Sequence, residues 1–242
     1  EQALVSGEAD IAVHSMKDVT IDLPDGLALP VIMQREDTRD VFISNKYESF
    51  ETLPENAIIG TSSLRRQSQV KAMHSKIVLK DLRGNVGTRL RKLDNGEYDA
   101  ILLAAAGIIR LGIGERITQF IPQTSLLPAI GQGAIGIECR ADDDKVQEII
   151  APLNDQDTML CVQTERAFSR RLFGGCQLPI AGQATITNEE ITLTGLVASV
   201  DGTEVIKSAL TGALNDIENI GVSLAESLLE RGADKILKAL LH

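Results

Sequence analysis

The sequence has no tryptophan, and aromatic residues fill only 3% of its 242 positions. Its net charge is −10 at neutral pH. A nucleic-acid binder needs cations for phosphates and rings for stacking on bases, so both deficits argue against such a partner. Cysteine is scarce: Cys139, Cys161 and Cys176 are an odd number with no CxxC spacing. That argues against a disulfide framework or a zinc ribbon, leaves no metal constellation, and suits a reducing cytoplasm. Long apolar runs are missing too. The longest, residues 100–109, is broken by Gly107 and falls well short of the roughly 20 residues that cross a bilayer. The opening Glu1-Gln2-Ala3 has neither an initiator Met nor a basic, apolar leader, so no signal peptide is read and the start looks like a cut. What is present is ordinary for a globular protein of more than one domain, with 43% hydrophobic and 24% charged residues.

Residues 10–14 and 99–103 read as buried strands. Each follows a helix tail closed by glycine, at Gly7 and Gly96, as a left-handed C-cap requires. Between them the pattern predicts a strand at 57–60, a helix at 64–73, a strand at 77–80 and a helix at 86–93. Such alternation indicates parallel α/β packing, with ligand sites at the carboxyl ends of strands. Beyond Gly131-Gln132-Gly133 comes an apolar strand at 134–139, then a helix from Asp155 to about Leu172. Two antiparallel strands, 191–200 and 203–210, are joined by Asp201-Gly202, and an amphipathic helix at 216–231 follows. This last part reads as a separate small α+β domain.

Charge is unevenly distributed. Residues 61–92 carry nine Lys or Arg against one acid, Asp81, a local excess of +8 in an acidic chain. Most charge runs are solvated helix faces. Here, however, Thr61-Ser62-Ser63 opens a helix just before Arg65 and Arg66, where free backbone N–H groups and the helix dipole add to two guanidinium groups. Capping by a serine alone would explain the hydroxyls; with the arginines, an anion site is favoured. Arg83-Gly84-Asn85-Val86-Gly87-Thr88-Arg89 forms a second cationic turn, and without a following GK[ST] it is not a nucleotide loop. His14-Ser15-Met16-Lys17-Asp18 ends a buried strand at the cleft mouth. Asp18 is either a turn former or the carboxylate that faces a positive reaction centre. Among the thiols, Cys139 and Cys161 fall in apolar patterns. Cys176, after Gly174-Gly175 and near Arg170-Arg171, is nominated as the reactive one.

Five stretches, read together and in order, resemble the porphobilinogen deaminase family: ADIAVHSMKD (9–18), GTSSLRRQ (60–67), LRGNVGTRLRKLDNGEYDAILLAAAG (82–107), LPAIGQGAIGIECR (127–140) and ERAF…GGCQLPI (165–180). From Ala181 onward the likeness is one of pattern. The resemblance implies an α/β fold of two periplasmic-binding-protein-like lobes around a cleft, plus a small C-terminal α+β domain. The corresponding divisions are 1–33 with 134–155, 34–133, and 156–242, the last bearing the cofactor. It implies a dipyrromethane joined by a thioether to Cys176. On this primer four porphobilinogen units condense head to tail with loss of ammonia, and hydroxymethylbilane is released for haem biosynthesis. It makes Asp18 the catalytic carboxylate, facing the cationic azafulvene formed as ammonia departs. Ser15, Lys17, Thr61, Ser63, Arg65, Arg66, Arg83 and Arg89 would hold the cofactor's carboxylates, with Arg110 and Gln132 on substrate. A cytoplasmic monomer is expected, with porphobilinogen and the growing pyrrole chain as its only partners. The family's opening strand–helix segment, with its arginine motif and lysine-rich loop, has no counterpart here, so the first domain is expected to be incomplete. A non-catalytic anion-binding module on the same two-lobed fold is the competing reading, but it leaves Cys176 and Asp18 without a role.

Overall fold

The computed structural model describes residues 1–172 and 178–240. The first lobe opens with a single helical turn, α1 (Gln2–Val5), followed by β1 (Ile11–Ser15), a 3₁₀ turn at Met16–Asp18, and β2 (Leu27–Ile32). The chain then crosses to the second lobe. There it forms β3 (Asp40–Ile43), β4 (Ile58–Gly60), α2 (Leu64–Met73), β5 (Val78–Lys80), α3 (Val86–Asp94), β6 (Ala100–Ala104), α4 (Ala105–Arg110) and β7 (Gln119–Phe120). It crosses back as β8 (Ile135–Arg140), which inserts between β1 and β2, and continues into α5 (Asp144–Ile150). The C-terminal part comprises α6 (Gln156–Arg171), β9 (Ile180–Thr187), β10 (Glu190–Ala198), β11 (Val205–Ala213), α7 (Ile217–Leu228) and α8 (Asp234–Lys238).

The helix starts follow from side-chain chemistry. Asn85 accepts the Thr88 N–H at 2.9 Å, Asp143 accepts the Val146 N–H at 3.1 Å, and Asp155 accepts the Thr158 N–H at 2.9 Å. Each satisfies a backbone donor that the helix itself leaves open. The expected glycine caps also appear, Gly7 and Gly96 lying at φ 79° and 76°. The expected final helix appears as α7 and the wider helical turn that continues it, and Gly232 (φ 106°), just past its expected end, kinks the chain before α8.

Three sheets organise the molecule. The second lobe has strand order β5-β4-β6-β3-β7, in which β4 runs parallel to β5 and β6 while β3 is antiparallel to β6 and β7. Apolar clusters cover its two faces, one around Ile101 and Ile108, the other around Phe42 and Ile59. The parallel packing expected from strand–helix alternation is found where that alternation lies, at β4, β5 and β6, whereas the first lobe's sheet, β1-β8-β2, is antiparallel throughout. The reason is connectivity. The central strand β8 arrives from the far lobe rather than over a local crossover helix, so its direction is set by the interlobe crossing. In the third sheet, β11-β10-β9, a meander packs one face on α6 and α7.

The α6–α7 contact is unusually close because Gly221 has no side chain. A methyl group there would stand 2.6 Å from Ala167 Cβ and 2.7 Å from the Thr164 carbonyl oxygen. An alanine ordinarily stabilises a helix over glycine by about 1 kcal/mol, but forced overpacking costs about 1–3 kcal/mol. The clash should therefore win: Gly221→Ala is expected to lower stability in urea unfolding. Gly107→Ala in α4, where the nearest neighbouring atom would be 4.0 Å away, should be neutral or stabilising.

Candidate functional site

A cleft of about 680 Å³ lies where the two lobes and the C-terminal domain meet. Its floor is the turn Met16–Asp18 at the end of β1. Met16 is buried, and a Cβ on Gly131 would stand 2.8 Å from Met16 Cβ, so the turn seats directly on the returning crossover. This places Lys17 and Asp18 in the cleft lining. The loop that follows is gripped from α6: the Arg166 guanidinium donates to the carbonyls of Thr20 and Ile21, both at 2.7 Å.

The opposite wall is the N-terminus of α2. Ser63 caps it, and Arg65 and Arg66 line the cleft while remaining buried. Both arginines converge on one carboxylate, Asp40 at the start of β3. Arg65 Nη1 and Nη2 donate to Asp40 at 2.7 and 3.2 Å, and Arg66 Nε and Nη2 donate to Asp40 Oδ1 at 3.0 and 2.7 Å. Burial pushes the Asp40 carboxyl up, but the two guanidinium groups outweigh it and hold its pKa at about 2. Arg65 also donates to the Leu127 carbonyl at 2.7 Å and to Gln132 Oε1 at 3.4 Å. Its Nε–H is buried with no partner among the described residues. Arg66 reaches the Leu102 carbonyl at 3.1 Å.

Behind the cleft the network continues. Gln132, 1% exposed, donates to the Thr38 carbonyl at 2.6 Å and to Asp40 Oδ1 at 3.1 Å. Its backbone carbonyl accepts Arg35 Nε at 2.9 Å. Arg35 in turn forks onto the fully buried Glu165 of α6 at 2.6 and 3.1 Å. Glu165 also accepts the N–H of Gly131 at 2.7 Å and of Ala184 at 2.8 Å. One carboxylate thus ties the crossover, α6 and the C-terminal sheet together.

Of the residues singled out in the sequence, Lys17, Asp18, Ser63, Arg65, Arg66, Arg89 and Gln132 line the cleft. Ser15, Thr61, Arg83 and Arg110 are not among its lining. Ser15 pairs with Ile135 in the sheet, and Thr61 is buried with its hydroxyl accepting the Ser63 N–H at 3.3 Å. Arg83 is 82% exposed beside Asp81 at 3.9 Å, and Arg110 donates to the Gly133 carbonyl at 2.8 Å. Cys176 lies outside the described residues; Ser169 and Leu178, on either side of that segment, line the cleft. The other two thiols are buried, and burial beside Glu165 pushes the Cys161 thiol up to about 12, while burial also raises Cys139. Both therefore stay protonated and weakly nucleophilic.

Sequence reasoning missed Asp40, Arg35, Glu165 and Arg166 as organisers of the site. The one available signal was a charged residue opening or interrupting an apolar run, as Asp40 does before Val41-Phe42-Ile43.

Among the lining residues, Lys17, Arg65, Arg66, Arg89 and Arg166 oppose Asp18 and Asp22, an excess of three positive charges. Counting Asp40 behind them leaves two. Burial and the nearby Arg66 lower the pKa of both Lys17 and Arg89, while Asp18 opposes the shift in each. Crowded, partly desolvated cations of this kind favour an anionic ligand, which relieves their repulsion. The fold and the cleft define a class: a two-lobed protein with a cationic cleft between its lobes and a third domain at the cleft's edge.

Comparison with known proteins narrows the class. The family model described as porphobilinogen deaminase, dipyromethane cofactor binding domain, matches residues 1–148, and that of the porphobilinogen deaminase C-terminal domain matches residues 159–230. The chain belongs to the porphobilinogen deaminase family of tetrapyrrole biosynthesis, and its matched first part is that family's dipyrromethane-binding domain. Similar solved structures include a putative methionine-binding lipoprotein from Bacillus subtilis subsp. subtilis str. 168, with 16% identity over 65% of this chain and 75% of that one at a TM-score of 0.44. Another is a nutrient binding protein from Burkholderia cenocepacia bound to methionine, with 12% identity over 65% of this chain and 76% of that one at the same TM-score, 0.44.

Asp40 generates a prediction. Its lowered pKa means it stabilises the fold fully above its unfolded value of 3.8 and stops doing so as pH falls through about 2. Asp40→Asn leaves two buried guanidinium groups uncompensated and should cost about 3–5 kcal/mol at neutral pH. Urea unfolding at several pH values should show a constant gap from parent down to about pH 4, narrowing below it.

Proposed function

We propose that the chain is a hydroxymethylbilane synthase that joins four porphobilinogen molecules head to tail on a dipyrromethane thioether-linked to Cys176. The observation that carries this reading is Asp18, exposed in a cleft where five cationic side chains converge. Pyrroles bearing acetate and propionate groups fit such a lining, and the unpartnered Arg65 Nε–H supplies a buried donor beside it. When bound, the dipyrromethane supplies the pyrrole carbon to which the first substrate is joined.

The protein's own groups do the rest. Lys17, Arg66, Arg89 and Arg166 bind substrate carboxylates, and Ser63 adds a hydroxyl at the helix N-terminus. Asp18 accepts pyrrole N–H groups and offsets the positive charge that develops on porphobilinogen as its C–N bond breaks and ammonia leaves. In a partly desolvated cleft this attraction is stronger than in water. Attachment at Cys176 is supported by reach: Leu178 lines the cleft, and two residues of chain span at most about 7 Å. It is supported too by the raised pKa values of the two alternative thiols.

Two experiments test this reading. Intact mass spectrometry of the denatured protein should show a two-pyrrole adduct with a pink Ehrlich reaction. Cys176→Ser should lose it, and Cys139→Ala and Cys161→Ala should keep it. An unmodified mass in active enzyme rules out the attachment. Separately, Asp18→Asn should reduce turnover more than 100-fold, since about 3 kcal/mol of lost transition-state stabilisation already gives that factor, while thermal stability changes little. Near-parental turnover would make Asp18 only a turn residue.

A further inference from the structure

The helix that brings Arg65 and Arg66 to the cleft is touched from behind by the C-terminal sheet. Gly202, in the turn between β10 and β11, has φ +73°, the left-handed region. A Cβ there would overlap the Ala72 nitrogen and stand 2.7 Å from both the Lys71 carbonyl carbon and the Ser68 carbonyl oxygen. All three are backbone atoms of α2 and cannot swing aside as a side chain would. The turn is equally stiff. Asp201 Oδ1 accepts from Ser199 Oγ at 2.6 Å, from Thr203 Oγ1 at 2.8 Å and from the Thr203 N–H at 3.1 Å.

At its middle α2 is tied to the same sheet by another route. Gln69 exchanges hydrogen bonds with both backbone groups of Leu127 at 2.8 and 3.1 Å, and the Leu127 side chain packs with Ala181, Leu196 and Ala198. A rigid ten-residue helix is thus held at two points by the domain that also contributes α6 to the cleft. We propose that Gly202 is a positioning residue: the β10–β11 turn is a stop against α2 that sets how far Arg66 stands into the cleft opposite α6. The consequence for turnover rests on the proposed function; the stop itself does not.

Gly202→Ala adds both left-handed strain and the collision. Gly96→Ala, at φ +76° with no atom within 4 Å of its added Cβ, adds the strain alone. In hydrogen exchange of the holoenzyme, Gly202→Ala should make the amides of α2 exchange about tenfold faster, and Gly96→Ala should leave them unchanged. KM for porphobilinogen should rise about fivefold in Gly202→Ala with kcat held within about twofold, the mark of lost binding rather than lost chemistry. Should Gly202→Ala fail to fold, Asp201→Ala, which loosens the turn without adding an atom, should speed exchange in α2 in the same direction. Unchanged α2 exchange in every folded turn variant overturns the stop, as does faster exchange confined to the C-terminal sheet. Parent protein without activity toward porphobilinogen would defeat the functional reading and leave the exchange test intact.

Discussion

Everything about the cleft depends on a buried chain of charge that runs from Glu165 through Arg35 and Gln132 to Asp40, Arg65 and Arg66. Two carboxylates and three guanidinium groups are withdrawn from water there, at a desolvation cost recovered only if each is hydrogen-bonded on several sides. Glu165 accepts from Arg35 and from the backbone of Gly131 and Ala184, and Asp40 accepts from two arginines and a glutamine. Such bonds tolerate little displacement. They fix the two crossovers between the lobes, α6 and α2 in one arrangement, more specifically than apolar contact does.

That arrangement leaves positive charge unbalanced on the side facing the cleft. The protein is acidic overall, yet cations from four separate elements converge on the cleft. Arg65 and Arg66 serve both ends. They neutralise Asp40 behind them while lining the cleft in front. Asp40 is the reason two adjacent arginines can be buried at a helix start at all.

The C-terminal domain is structurally part of the site. Its helix α6 supplies Glu165 to the crossover and Arg166 to the loop after Asp18, and its sheet braces α2. Floor and wall of the cleft are therefore both referenced to the domain that precedes and follows the segment containing Cys176.

Local chemistry determined much of this from the sequence alone. The helices at 64–73 and 86–93, the strand at 99–103 and the hairpin through Asp201-Gly202 were legible because capping residues, glycines and apolar periodicity act within a few positions. Lys17, Asp18, Ser63 and Arg89 were legible as cleft residues because strand ends and helix starts open onto clefts in α/β folds. Tertiary structure alone decided the rest. Arg83 and Arg89 belong to one short motif, yet one side chain is exposed on the surface and the other lines the cleft, since the turn between them rotates them apart. β3 and β9 carry no turn or alternation signal strong enough to mark them, and β8 is antiparallel because of a crossing some hundred residues after β2. Asp40, Arg35 and Glu165 were invisible as a set because a buried ion pair leaves no periodic trace. Its members lie up to 130 residues apart, and only the closed fold brings them within hydrogen-bonding distance.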